Sequence, residues 1–166
     1  MKKLLLLAVL AALAGWYFDG SRRITEDMVR ENYQMELEAM RNFDAPLLCK
    51  RVSDDFLATD TVNSGDGPVE QHLDKQSYCH ELTQSIEAMR RISGLSRGRM
   101  TFNVNTEIKS ITLAANHKSA AVELVSTVKL GDMILARSRG TETLIRRNGH
   151  ILSTGGEFKS WAYSGE

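Results

Sequence analysis

Hydrophobic and polar residues alternate between Met100 and Trp161, in four runs that are separated by short polar turns. In the second run, Ala120, Val122 and Leu124 occupy every other position. This is the period-two pattern of a strand that buries one face. The four runs therefore predict four consecutive antiparallel strands that form one sheet.

The turns between these runs predict which residues face each other across the sheet. A two-residue turn at Asn116 would place Leu113 opposite Ala120, so that apolar residues of both strands share one face. Asn148 and Gly149 favour the positive φ angles of a type I′ turn between the last two strands. The hairpin registers are therefore predicted together with the strands.

The first of the four runs changes its alternation part of the way along. Ile108 continues a series of apolar even positions, whereas Ile111 and Leu113 are odd. A β-bulge near Ser110 would restore a single apolar face, because a bulge adds one residue to a strand. Bulges also bend strands, so we expect a strongly bent sheet.

Before the sheet, apolar residues recur at the spacing of amphipathic helices. Three helices are predicted, beginning after the capping residues Thr25, Asp44 and Asp74, and the third ends near Gly94. Their apolar positions are Val29, Tyr33, Leu37 and Met40 in the first helix, Leu47, Leu48, Val52 and Phe56 in the second, and Tyr78, Leu82, Ile86, Met89 and Ile92 in the third. Glu36 is expected to face outward on the first helix.

These elements predict an α+β fold in which three N-terminal helices pack on a strongly bent, four-stranded antiparallel sheet. The apolar stripes of the helices and the apolar face of the sheet must cover each other, because no other sizeable apolar surface is available. The residues expected in contact are Val122, Leu124, Leu135 and Leu144 from the sheet and Val29, Tyr33, Leu82, Ile86 and Met89 from the helices.

The order of elements and three stretches of sequence resemble the nuclear transport factor two-like family, whose fold is also called cystatin-like or cone-like. The stretches are residues 43–57, the helix from Leu82 to Met89 and the hairpin from Glu142 to Leu152. The resemblance implies a pocket between the concave face of the sheet and the helices. In the family's enzymes, such as steroid isomerases, polyketide cyclases and epoxide hydrolases, pocket carboxylates act as acids or bases.

Residues 1–23 have the layout of a secretory signal or a membrane anchor. Two lysines precede an apolar run that begins at Leu4, and a small-residue cleavage site ends at Ala14. Cleavage near Ala14 would release a soluble periplasmic protein, whereas an uncleaved segment would hold residues 4–18 in the inner membrane as a short, tilted anchor. We therefore expect export, with residues 24–166 as the folded domain outside the cytoplasm.

Composition and charge narrow the range of partners. The 166 residues include 42% hydrophobic residues and only two prolines, which is typical of one globular domain with a terminal extension. Basic and acidic side chains are equal in number, at 21 each. Nucleic-acid binding depends on an excess of clustered cations, so we expect no nucleic-acid partner.

Pocket carboxylates are the candidate chemistry that the resemblance implies. Asp54, Asp55 and Glu142 are the acidic candidates, and Tyr33 and Tyr78 are candidate hydroxyl donors and ligand contacts. A buried carboxyl with a raised pKa can act as a general acid or base near neutral pH. In the alternative interpretation the two aspartates are solvated at a helix end, Glu142 pairs with a strand arginine, and the tyrosines belong to the core.

Arg137 and Arg139 alternate along the third strand of the predicted sheet and therefore share a face. Such a cationic pair could hold an anionic ligand. The alternative is that both arginines lie on the solvated outer face of the sheet.

Cys49 and Cys79 are the only two cysteines, and an even number in an exported chain favours a disulfide. The bond would join the second predicted helix to the first turn of the third. A metal site formed by these cysteines with His72 and His80 is the alternative, but the spacing matches no known ligand motif. We therefore expect the disulfide and no metal.

Two classes of function remain open from the sequence. The first is a non-enzymatic exported domain that binds a small apolar ligand or a protein partner in the cell envelope. A membrane-anchored version would be similar to the inner-membrane assembly subunit of type IV secretion systems, and the sheet could also form a homodimer. The second is an isomerase or hydrolase that uses a pocket Asp or Glu as general base, without a cofactor.

Overall fold

The structure, a computed structural model, describes residues 7–10, 14, 15, 17, 19–64, 67–95 and 101–163. Residues 1–6, 11–13, 16 and 18 of the predicted signal or anchor lie outside the described residues. Within the part of the chain that the structure describes, no helix has the length and hydrophobicity needed to cross a membrane.

Among the described residues that follow residue 25 there are three helices, and their caps are the predicted ones. The helices are α1 (Glu26–Arg41), α2 (Ala45–Lys50) and α3 (Lys75–Leu95). The side chains of Thr25, Asp44 and Asp74 each accept a hydrogen bond from the backbone amide three residues further on, at 3.3, 3.0 and 2.8 Å. Each bond satisfies an amide that has no partner within the first turn of its helix.

In the part of the chain that the structure describes, six strands form one sheet. The strands are β1 (Val52–Ser64), β2 (Gly67–Asp74), β3 (Phe102–Leu113), β4 (Ser119–Leu130), β5 (Met133–Arg147) and β6 (His150–Ala162). Their order across the sheet is β2-β1-β6-β5-β4-β3. β1 and β6 are parallel, and the other neighbours are antiparallel. Register shifts in four of the five strand pairs bend the sheet.

The α+β class is confirmed, but the prediction of four strands and of three helices before the sheet is wrong. β1 and β2 form an additional hairpin that precedes α3. The second helix was predicted to extend to Phe56 because Val52 and Phe56 are four residues apart. A four-residue spacing fits one face of a helix and also one face of a strand. In the structure the helix ends at Lys50, and both residues are buried from β1.

The registers predicted for the last four strands are confirmed. Leu113 lies opposite Ala120, and the register shift after Ile108 is the predicted bulge. Asn148 and Gly149 have φ angles of 52° and 80°, as a type I′ turn requires. Local turn chemistry and alternation therefore suffice to predict this half of the sheet.

The parallel pair of β1 and β6 depends on a glycine. Gly155 has a φ angle of 115°, which favours glycine, and a Cβ atom there would overlap the carbonyl oxygen of Leu57. The register between the two strands shifts in the same region, between Val52 and Leu57. Gly155 therefore allows the backbones of the first and last strands to approach closely.

The apolar residues of the two long helices, α1 and α3, are buried in two separate hydrophobic clusters. In the first, α1 packs on the concave face of the sheet as predicted, with Val29 and Tyr33 against Val122, Leu124 and Leu144. In the second, Ile86 and the half-buried Leu82 and Met89 of α3 pack against Ala39, Ala45 and Leu48 of α1 and α2. The predicted packing of this stripe of α3 on Val122, Leu124 and Leu144 is therefore wrong, because α1 already covers those residues.

Cys49 of α2 and Cys79 of α3 form a disulfide, with Cα atoms 5.6 Å apart. The two cysteines therefore pair as the sequence predicts. The histidines of the alternative metal site have other neighbours: Thr59 Oγ1 lies 3.1 Å from His72 Nδ1, and Gln84 lies beside His80. Among the residues that the structure describes, no group of three or more His, Cys, Asp and Glu side chains is placed to hold a metal ion.

Candidate ligand-binding site

A cavity of about 270 Å³ lies between the concave face of the sheet and the helices. All six strands and all three helices α1, α2 and α3 contribute to its lining. Its walls are mostly apolar: Leu37, Met40, Leu48, Val52, Phe56, Ala58, Leu73, Leu82, Val104, Leu124 and Phe158. Small-molecule sites are typically concave and apolar with a few polar groups, so the polar groups of this cavity indicate what it could bind.

Glu142 and Tyr33 form the innermost polar contact. Glu142 points into the cavity because it shares the inward parity of β5 with the buried Leu144. Tyr33 reaches it from α1, and its hydroxyl donates a hydrogen bond to Glu142 Oε2. The Tyr33 residue is only 6% exposed, so this bond is shielded from solvent. A second hydroxyl, from Ser153 on β6, also hydrogen-bonds to Glu142.

Glu36 brings a second carboxyl group to the same cavity. It lies three residues after Tyr33 on α1, so both side chains project from one face of the helix. Its Oε1 accepts a hydrogen bond of 2.7 Å from the amide of Asn32, which is 2% exposed. The Asn32 carbonyl in turn accepts a hydrogen bond from the Arg51 guanidinium at the end of α2. The chain of bonds fixes Glu36 in place.

Burial changes the acidity of both carboxyl groups. Desolvation, followed by the nearby charge of Glu142, raises the pKa of Glu36 to about 8. Desolvation also raises the pKa of Glu142, although its hydrogen bonds with Ser153 and Tyr33 oppose the shift. At neutral pH the cavity can therefore hold a proton on a carboxyl group, which is the state needed for hydrogen-bond donation or acid catalysis.

Burial also keeps the hydroxyl groups of the two cavity tyrosines, Tyr33 and Tyr78, in their protonated form. Burial, and then the charge of Glu142, raises the pKa of Tyr33 and of Tyr78 above the usual value. Tyr78 is held at the start of α3 by Phe56, with the ring centroids 5.0 Å apart. Both hydroxyls therefore keep their protons at neutral pH and face the cavity.

The structure brings three of the predicted site residues together and separates the others from them. Tyr33, Tyr78 and Glu142 line the cavity. Asp54 and Asp55 are both exposed near the start of β1. The Lys75 ammonium lies 2.7 Å from Asp54 and lowers the pKa of that carboxyl, and Asp55 lies 3.6 Å from Arg147. Neither aspartate touches the cavity.

Arg137 and Arg139 are also outside the cavity. Both are exposed on β5, at positions that alternate with the inward-facing Ser138. The Arg139 guanidinium lies 5.4 Å from the ring centroid of Trp161 on β6, as a cation–π contact. The arginines therefore occupy the outer face of the sheet.

Glu36, Arg51 and Asp60 also line the cavity, although the sequence pattern did not predict them there. Glu36 was placed on the outer face of its helix because it is charged, although its spacing from Tyr33 and Met40 puts it on the apolar face. Asp60 was missed because β1 was not recognised. Alternation from Phe56 through Ala58 to Asp60 is the signal that could have placed it.

No protein-family model and no curated protein matches this sequence. Solved structures do match: an NTF2-like protein of unknown function from Pseudomonas putida KT2440 is 17% identical, with a TM-score of 0.52, covering 82% of this chain and 88% of that one. A provisionally named scytalone dehydratase from Novosphingobium aromaticivorans is 10% identical, with a TM-score of 0.55 and coverage of 84% and 88%. A cystatin-like domain of unknown function from Nostoc punctiforme is 12% identical, with a TM-score of 0.55 and coverage of 86% and 81%. These likenesses confirm the predicted nuclear transport factor two-like fold.

Proposed function

We propose that this chain, which has the nuclear transport factor two-like fold, binds a small and largely apolar molecule in the cavity lined by Tyr33 and Glu142. The observation that carries the proposal is the buried Tyr33–Glu142 pair in the wall of a cavity whose surface is mostly apolar. Apolar walls favour binding through burial of ligand surface, and the polar pair orients the ligand. At about 270 Å³ the cavity is near the lower limit of small-molecule sites, which suits a molecule of one or two rings.

We propose further that the domain works in the cell envelope after export. The support is the three-part layout of residues 1–18 and the pairing of Cys49 with Cys79, since disulfides persist mainly in oxidising compartments. The domain would be soluble after cleavage near Ala14 or anchored through residues 4–18. Its partner would be the small ligand, or an envelope protein that delivers or receives it.

Proton transfer on the bound molecule is the second candidate function, and the two cavity carboxyls favour it. Glu36, whose pKa burial raises to about 8, can hold a proton at neutral pH and donate it, and Glu142, which accepts the Tyr33 hydrogen bond, is placed to act as base when it is ionised. On a ketone, Glu142 would remove the proton next to the carbonyl group, and Glu36 would donate its proton to the enolate oxygen. This corresponds to the isomerase alternative.

One probe tests both functions. We expect 2-tetralone, an apolar bicyclic ketone, to bind to the protein in isothermal titration calorimetry. Ala58 lines the cavity, so Ala58→Leu should fill it and weaken binding by about tenfold or more. The control is Ala121→Leu on β4, because Ala121 alternates with the buried Val122 and lies outside the cavity. Equal affinity in parent and Ala58→Leu, or no binding by the parent, would contradict the proposal.

Deuterium exchange separates a binding protein from an enzyme. An enzyme should accelerate exchange of the α-hydrogens of 2-tetralone in D₂O, measured by NMR, and Glu142→Gln should reduce the rate by about a hundredfold or more while 2-tetralone still binds. Asp54→Asn is the matched control, since Asp54 lies outside the cavity. If the parent exchanges no faster than buffer, the catalytic candidate fails and ligand binding alone remains.

A further inference from the structure

We propose that the cavity has a second polar end, away from Glu142, that binds a hydrogen-bond donor of the ligand, either a hydroxyl or an ammonium group. The inference rests on the proposed function, because it concerns the class of molecule that the same cavity takes. A row of hydroxyl side chains and one carboxyl group form this end.

Four hydroxyl side chains lie in a row across four neighbouring strands. Thr106 of β3 pairs with Ser126 of β4, Ser126 pairs with Ser138 of β5, and Ser138 pairs with Ser160 of β6. All four line the cavity. The hydroxyls of Thr106 and Ser126 are 2.9 Å apart. Such directly opposite residues are close enough to act on one ligand group together.

Asp60 of β1 stands at the end of this row and has an unused acceptor. Its Oδ2 accepts a hydrogen bond of 2.8 Å from the Ser160 hydroxyl. Its Oδ1 is buried and has no hydrogen-bond partner among the residues described, and the Asp60 residue lines the same cavity. Buried polar atoms are nearly always paired, so an unpaired one on a residue that lines a cavity indicates a place for a ligand atom. A carboxylate only accepts hydrogen bonds, so the ligand group that pairs with Asp60 must be a hydrogen-bond donor.

The middle of the cavity is apolar and separates the two polar ends. Ser138 and Glu142 are four residues apart on β5, which corresponds to roughly 13 Å along a strand. Between them lies Gly140, and the ring of Phe158 packs where a side chain at that position would be. The cavity therefore fits an elongated molecule with an apolar centre. An anionic group at the Asp60 end would be repelled, so the donor is neutral or cationic.

Three probes with the same apolar body test the inference: 6-phenylhexan-1-ol, 6-phenylhexylamine and 6-phenylhexanoate. We expect calorimetry at neutral pH to show that the protein binds the alcohol and the amine at least about tenfold more tightly than the carboxylate. Asp60→Asn should remove most of the preference for the amine over the carboxylate. Ser138→Ala, which keeps the charge of Asp60, should weaken binding of the alcohol.

Asp54→Asn on the same strand is the matched control and should leave all three affinities unchanged, since Asp54 is exposed outside the cavity. The outcomes separate the inference from the proposed function. If the probes bind but neither Asp60→Asn nor Ser138→Ala changes the order of affinities, or if the carboxylate binds best, the second polar end is refuted and ligand binding stands. If neither 2-tetralone nor any of the three probes binds, the second polar end and the proposed ligand binding are both refuted.

Discussion

Glu36 and Glu142 differ in what surrounds them, although they line one cavity. Glu142 is bonded to two hydroxyls, from Tyr33 and Ser153, which favour its charged form. Glu36 has a single amide donor, from Asn32, and is affected by the charge of Glu142. The two groups are therefore best charged one at a time, and a ligand that donates to Glu142 would favour its charged form and so raise the pKa of Glu36.

Stability should depend on pH through Glu36. Its pKa is about 8 in the folded protein and 4.5 at its ordinary value. Between these values the folded state holds a proton that the unfolded state has lost, so the free energy of unfolding falls as pH rises. The slope for this proton is at most about 1.4 kcal/mol per pH unit. Urea unfolding between about pH 5 and pH 9 measures it, in a range where exposed aspartates no longer titrate.

Glu36→Gln is the control for this pH dependence. Glutamine keeps the size of the side chain and its bond to Asn32 but cannot titrate. The variant should have a shallower slope and should be more stable than the parent at about pH 9, where the parent carries a buried charge. An unchanged slope would show that Glu36 titrates at an ordinary pKa.

Only those site residues could be predicted from the sequence whose residue type is itself typical of a pocket. Tyr33, Tyr78 and Glu142 were candidates because aromatic hydroxyls and a strand carboxyl suit a pocket, and the structure places all three on the cavity. Glu36 could not be recognised by charge alone, because burial depends on the strand packed opposite. The unpaired oxygen of Asp60 depends on long-range strand pairing that local pattern does not contain.

At the level of elements, a small hydrophobic cluster holds α3 against α1 and α2, and Ile86 at its centre is only 1% exposed. Ile86→Ala should therefore lower the free energy of unfolding by about 2 to 5 kcal/mol. Leu82→Ala should cost less, because Leu82 already borders the cavity and its loss only enlarges that space. Denaturant unfolding measures both.

Ser85→Ala is the matched control on the same helix, since Ser85 is exposed next to Ile86. It should change the free energy of unfolding by less than about 0.5 kcal/mol. An Ile86→Ala protein that unfolds at the parent's midpoint would mean that α3 does not pack on α1 and α2.

The elements that could be predicted are those specified by local sequence. The hairpins from β3 to β6 follow from alternation and from turns such as Asn148-Gly149, so their registers were predicted correctly. β1 and β2 were missed because the spacing of Val52 and Phe56 suits both a helix and a strand. The partner of β1 is β6, far along the chain, so no neighbouring residue signals the pairing.

For the whole molecule, one intact-mass measurement tests export, cleavage and the disulfide. Protein recovered from the periplasm of a bacterial host should lack the residues up to about Ala14 and two further hydrogen atoms, lost from Cys49 and Cys79. Full-length mass in the membrane fraction would identify the anchored form. Full-length, fully reduced protein found only in the cytoplasm would contradict export.

The pairing of β1 with β6 also determines when the protein can fold. Asp60 and Ser160, which bond across this pair, are 100 positions apart in the chain. Contacts of such wide separation form slowly, because a long loop must close before they contribute. β6 follows every other strand, so the sheet and its cavity close only after nearly the whole domain has been synthesised. The growing chain therefore remains unfolded until late, which is the form that a translocation channel for extended polypeptides accepts.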